Sequence, residues 1–117
     1  MGELANPIVA CSLSEVDQRI RRAELRKGFM QRIRSVHELP AGLSFRLDLT
    51  ADTEREVHEF VAFESRCCGF ASFAQRRDES ARALWLEVTG PSGAREFFAN
   101  LVPESLEIEP ADRQDAG

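Results

Sequence analysis

The spacing of apolar residues changes several times along the chain, and each change marks an element. The run "IVAC" (8–11) reads as a short buried strand and leads into "SLSEVDQ", where Ser14 with Asp17, or Ser12 with Glu15, can cap a helix start. Val16, Ile20 and Ala23 then recur at spacings of three and four, which predicts a helix with its apolar face on those residues, stopped at Gly28. From Phe29 to Glu38 the pattern is strand-like, "LPAG" (39–42) is a turn, and "LSFRLDL" alternates Leu43, Phe45, Leu47 and Leu49, so this region reads as a hairpin with one buried face. A second helix opens between Thr50 and Thr53, carries Val57, Phe60, Val61, Glu64 and Cys68 on one face, and ends at Gly69. "FASFAQ" (70–75) and "LWLEV" (84–88) form a second hairpin across "RRDESAR", and a third helix follows "TGPSG" with Phe97, Phe98 and Leu101 as its stripe. From Pro103 the chain turns acidic, and residues 110–117 read as a disordered tail beyond a single domain spanning 1–109.

Shifted by 41 positions, the chain matches itself: Val16 meets Val57, Ile20 meets Val61, Gly28 meets Gly69, Phe29 meets Phe70, Leu43 meets Leu84 and Phe45 meets Leu86. The two helix–strand–strand units are either a duplication or two similar solutions to one packing problem. In this register Glu64 falls opposite Ala23, Cys67 opposite Arg26 and Cys68 opposite Lys27, so the second unit departs from the first at its chemically active residues. The fold class expected is α+β: an antiparallel sheet of four to five strands with two to three helices on one face. Its first six elements follow a ferredoxin-like βαββαβ order, with an extra strand and helix appended. That order brings Cys11, at the end of the first strand, near Cys67 and Cys68, at the end of the second helix.

Composition narrows the function classes. With 15 basic against 20 acidic residues the net charge is −5, and "RIRRAELRK" is the only basic run, so a nucleic-acid footprint is not indicated. No segment approaches the length of a membrane span, and the N-terminal apolar run is too short for a signal sequence. The protein is therefore expected in the cytoplasm, where three cysteines, an odd number, do not read as a disulfide framework.

Two of those cysteines are adjacent, and Glu64 lies three and four residues before them on the same helical face. Thiolates without histidine suit soft ions of low coordination number, whereas a closed zinc site is poorly signalled: there is no C-x-x-C, and His37 and His58 have no ligand spacing to the cysteines. Glu64 can accept a thiol proton or complete a coordination sphere, and Arg66, Arg26 and Lys27 can stabilise thiolates against the opposing dipole of the helix end. The plainer reading is that the cysteines fill the core. For the adjacent pair that reading is weaker, because neighbouring side chains diverge on a regular helix. Trp85, between Leu84 and Leu86, is either packing or the surface of a homo-oligomer.

"CSLS" after a short strand, "ESRCCGF" at a helix end and "TGPSGA" after a strand together resemble a family of small bacterial proteins. That family carries a Cys-Ser-Leu start, a Glu-x-x-Cys-Cys-x-Phe centre and a Thr-Gly-Pro-x-Gly-Ala turn; its members have no assigned activity and accompany heavy-metal resistance functions. The resemblance spans roughly residues 8–102 and implies Cys11, Glu64, Cys67 and Cys68 as the metal positions, with Ser65 and Gly69 standing where the pattern has arginine and proline. The function expected is binding of a thiophilic ion, of mercuric or arsenite type, for sequestration or transfer, with no required cofactor. A thiol redox enzyme or sensor, in which Cys11 resolves, and a non-catalytic interaction module are the alternatives.

Overall fold

The computed structural model describes residues 14–110. In chain order these form α1 (Glu15–Lys27), a 3-10 turn (Phe29–Arg32), β1 (Ile33–Leu39), β2 (Gly42–Asp48), α2 (Ala51–Cys67), β3 (Ser72–Asp78), β4 (Ala83–Thr89), α3 (Ala94–Ala99) and β5 (Ile108–Glu109). The α+β class, the three helices and the four strands of the two hairpins are as the sequence predicts, whereas β5 is not foreseen and the expected strand at 8–11 lies outside the described residues. Both helix starts carry the expected caps, with Ser14 accepting from the Asp17 amide and Thr50 from the Thr53 amide, each at 3.1 Å.

The strands lie in the order β3-β4-β2-β1-β5. Each hairpin is antiparallel, and β2 joins β4 antiparallel at the centre. Phe45 pairs with Leu86, which is its own equivalent 41 residues later, and the seven residues of β2 shifted by the same interval give β4. The two units thus meet across a local twofold axis at the middle of the sheet. After each unit's first helix a phenylalanine packs against the next helix: Phe29 stacks on Phe60 of α2 at 4.3 Å, and Phe70 meets Phe97 of α3 edge-on at 5.2 Å.

Three expectations are corrected. In a ferredoxin-like order the segment 8–11 stands between β2 and β3, but both sides of β2 are occupied, by β1 and β4; that segment lies outside the described residues. The sheet is mixed and not purely antiparallel, since after α3 the chain crosses to the far edge and lays Ile108 and Glu109 parallel to β1. Phe29–Arg32 is a 3-10 turn and not strand, because Phe29 and Met30 drop into the core directly below α1.

The alternation of β2 and β4 lines one sheet face with Leu43, Phe45, Leu47, Leu84, Leu86 and Val88, all at most 1% exposed. Leu25, Phe29, Met30, Val57, Phe60 and Phe98 close the core from the helical side. Burial of side chains of this size is worth about 1.5–3 kcal/mol each, so this layer anchors the elements around it. The orientation of α1 departs from its periodicity. Val16 and Ile20 are 62% and 53% exposed, and Leu25 is the helix's one buried residue. The face turned inward carries Gln18, Arg21 and Leu25, and it lies over Glu64 and Cys68 of the neighbouring helix.

Candidate metal centre

The site is built where α2 stops. Its last intrahelical bond runs from the Cys68 amide to the Glu64 carbonyl at 2.7 Å, and Cys68 is the cap residue, with φ −121° and ψ 69°. The Ala71 amide then donates to the Cys68 carbonyl at 3.0 Å and turns the chain toward β3. Leaving helical geometry at Cys68 is what allows two adjacent side chains to converge. Cys67 Sγ and Cys68 Sγ are 3.9 Å apart, too far for a bond between them, and the two residues are 6% and 1% exposed. Regular helix would have separated them, and here both enter the same buried space.

Glu64 faces both thiols. Its Oε1 lies 3.5 Å from Cys68 Sγ and 3.9 Å from Cys67 Sγ, and the residue is 3% exposed. A carboxylate so buried needs a counter-charge. Arg21 of α1 supplies it, donating from Nε to Glu64 Oε2 at 3.0 Å, so the two carboxylate oxygens are divided between the guanidinium and the thiols. The Arg21 guanidinium also lies over the Phe63 ring, 4.0 Å from its centre, a contact that helps hold it in place. Arg66 approaches the same ring at 6.0 Å. The cation that serves the site is therefore Arg21, in place of the expected Arg66, Arg26 or Lys27.

Glu64, Cys67 and Cys68 form a group that can hold a metal ion. Oε1 and the two sulfurs are the corners of a nearly equilateral triangle with sides of 3.5, 3.9 and 3.9 Å. The centre of that triangle is about 2.2 Å from every corner, an ordinary bond length for thiolate and carboxylate ligands on a soft or borderline ion. Beside the group, Gln18, Arg21, Arg22, Glu64, Cys68 and Phe97 are among the residues around a cavity of ≈ 30 Å³, room for a single ion or water. An open cleft of ≈ 600 Å³ runs between α1 and α2 outside it, and Arg21 and Leu25 line both spaces. As nucleophiles the thiols are poorly placed, since reactive cysteines sit in exposed, electropositive surroundings and these are buried against a carboxylate.

Of the four residues read as ligands from the sequence, Glu64, Cys67 and Cys68 are brought together, and Cys11 lies outside the described residues. Arg21 went unrecognised. It is one of several cations on α1, 43 residues from its partner, and the available signal was indirect: a carboxylate on the apolar face of α2 requires a cation from elsewhere. Among the described residues no helix is long and apolar enough to cross a membrane. Comparison of the chain with family models, with curated proteins and with solved structures gives no match.

Proposed function

We propose that the protein binds one thiophilic ion, of mercuric or arsenite type, through Cys67, Cys68 and Glu64, and sequesters it or passes it on. The observation that carries this reading is the triangle of two sulfurs and one oxygen around a point about 2.2 Å from each. Soft ions favour thiolates, and the spacing favours three donors over two: at that bond length the sulfurs subtend about 115–125°, well short of a linear arrangement. For a dication the two thiols each lose a proton and form two metal–sulfur bonds. For arsenous acid two As–O bonds are exchanged for two As–S bonds, each thiol proton leaves with a hydroxide as water, and one hydroxyl stays on arsenic.

Cys11 belongs to the proposal as a further thiol. It stands three residues before Ser14, and Gln18, on the first turns of α1, already lines the cavity. Ions held by thiolates require reduced cysteines, in keeping with a cytoplasmic protein. The resemblance of "CSLS", "ESRCCGF" and "TGPSGA" to proteins that accompany heavy-metal resistance points the same way.

The test is stoichiometric protection. Reduced protein is mixed with one equivalent of arsenite or mercuric ion and its thiols are then alkylated and mapped by mass. Cys67 and Cys68 should be protected, Cys67→Ser and Cys68→Ser should each abolish protection of the remaining thiol, and X-ray absorption should show sulfur and a light oxygen-type neighbour around the bound ion. Alkylation of both thiols at the same rate with and without ion would end this reading. A Cys11 disulfide formed under mild peroxide, without ion protection, would favour the redox alternative.

A further inference from the structure

We infer that the open face of the sheet is a surface on which two copies of this chain pair. α1, α2 and α3 close the core against the other face, through Leu25, Val57, Phe60 and Phe98, and Trp85 is partly exposed on the side away from them. Strand register orders that side into rows. Arg46, Trp85 and Arg76 stand side by side on β2, β4 and β3, and the next row, two residues along, is Ser44, Glu87 and Ala74. Both guanidinium groups lean on the indole, at 5.8 and 5.5 Å from the ring centre. One row is therefore bulky and positive, while its neighbour is small with a negative charge at its middle.

The two rows complement each other under one operation. A twofold axis between two facing sheets, running across the strands and midway between the rows, lays each bulky row over the small row of the other copy. Facing sheets stand about 10 Å apart, a space that large residues set against small ones fill. Glu87 of one copy then lies over Trp85 of the other, between Arg46 and Arg76, while Ser44 and Ala74 leave room for the two arginine side chains. On β1, His37 stands opposite Ser35 in the same way. Charge favours a second copy over other occupants. Among the described residues Glu87, Arg46 and Arg76 form no ion pair, whereas Asp48 and Asp78, at the end of the face, already engage Arg34 and the β3–β4 turn. Arg34, Arg46 and Arg76 stand against Asp48, Asp78, Glu87 and Glu109, so the face is nearly balanced in a chain of net −5, and two copies meet here with little repulsion. A planar anion stacked on the indole would instead meet Glu87. Four strands about 4.8 Å apart, with seven residues of about 3.3 Å each, give a face of roughly 19 by 23 Å, small for a specific interface, so pairing in the micromolar range is expected. The thiol site, on the helical side, faces outward in both copies.

Trp85 is the chain's only tryptophan, so one fluorophore reports on this face. The experiment follows wild type by sedimentation velocity and by acrylamide quenching of Trp85 from about 1 to 500 µM, in reducing buffer without added metal. Mass should rise from monomer toward dimer, and quenching should fall in step. E87R sets a positive charge between two arginines, and R46E/R76E surrounds Glu87 with like charge, so each variant alone should pair at least about tenfold more weakly than wild type. Mixed in equal amounts, the two variants should pair again to within about threefold of wild type, because each half of the mixed interface then joins opposite charges. Wild type that stays monomeric at every concentration overturns the inference, and quenching of that monomer by adenosine monophosphate would assign the face to a planar anion. A dimer in which Trp85 quenching does not change also overturns it, as does a mixture that pairs no better than its components. Folding is checked by circular dichroism. If a charge-reversal variant does not fold, the wild-type series and E87Q decide: E87Q should pair severalfold more weakly, and unchanged pairing there overturns the inference.

Discussion

Replacing Arg21 by leucine removes the counter-charge of a carboxylate that is 3% exposed, and the size of the effect follows from what is left behind. Removing one partner of a buried pair costs about 3–5 kcal/mol, and here the Arg21 side chain is itself 22% exposed, so water can reach the gap and the lower part of that range applies. Loss of the guanidinium–Phe63 contact adds about 0.5–1 kcal/mol, while the leucine recovers part of the apolar contact made by the arginine stem. The net expectation for R21L is a loss of about 2–4 kcal/mol in urea unfolding at pH 7 with the thiols kept reduced. In a domain of this size that lowers Tm by roughly 10–20 °C. Combining R21L with Glu64→Met should recover most of the loss, because no charge then remains buried. Stability of R21L within about 0.5 kcal/mol of wild type, or a double variant no more stable than the single one, would refute the placement of this pair.

Gly42→Ala should destabilise by roughly 3 kcal/mol or abolish folding, read by urea midpoint, because a Cβ there would lie 1.8 Å from the Val88 carbonyl oxygen at the central strand pair. Gly69→Ala should do the opposite and add about 0.4–1 kcal/mol to ΔG of unfolding, since a Cβ meets nothing within 4 Å and Gly93 is the one glycine with positive φ among the described residues. Asp48 is held below the usual carboxylate range chiefly by its hydrogen bond to Arg34, so its folded-state pKa lies under the unfolded value; the stability it contributes is present above about pH 4 and lost as pH falls through the folded value. Denaturation midpoints of wild type and Asp48→Asn should therefore differ near neutrality and converge in acid once pH is below the folded value, and a gap that persists there would exclude this origin.

The sheet was legible because alternation is a local property. Leu43, Phe45 and Leu47, and again Leu84, Leu86 and Val88, declare their buried face regardless of what covers it. The helix ends were legible through Ser14, Thr50 and Gly28, whose side chains or lack of them act within one turn. What could not be read locally was the rotation of α1. Val16, Ile20 and Ala23 make the more apolar stripe, yet the face carrying Gln18, Arg21 and Leu25 turns inward because Glu64 waits there for a cation. Hydrophobicity ranks faces by transfer energy and takes no account of an ion pair assembled across 43 residues of sequence. The same limit applies to the thiols. Their adjacency marked them, but their convergence depends on the single change of backbone geometry at Cys68, which no periodicity records.

The local twofold axis between Phe45 and Leu86 also shapes the route by which the chain folds. Each hairpin closes over a short interval, with Leu39 facing Gly42 and Asp78 facing Ala83, so both can form early from nearby residues. The seam between β2 and β4 joins residues about 40 apart and requires closure of a loop that contains all of α2. Variants along that seam, such as Leu47→Ala or Leu84→Ala, will therefore change the rate of folding, whereas losses at the end of α2 will act mainly on the rate of unfolding. The ion proposed for Cys67 and Cys68 would then act as a late clamp, lengthening the lifetime of a structure that the seam has already brought together.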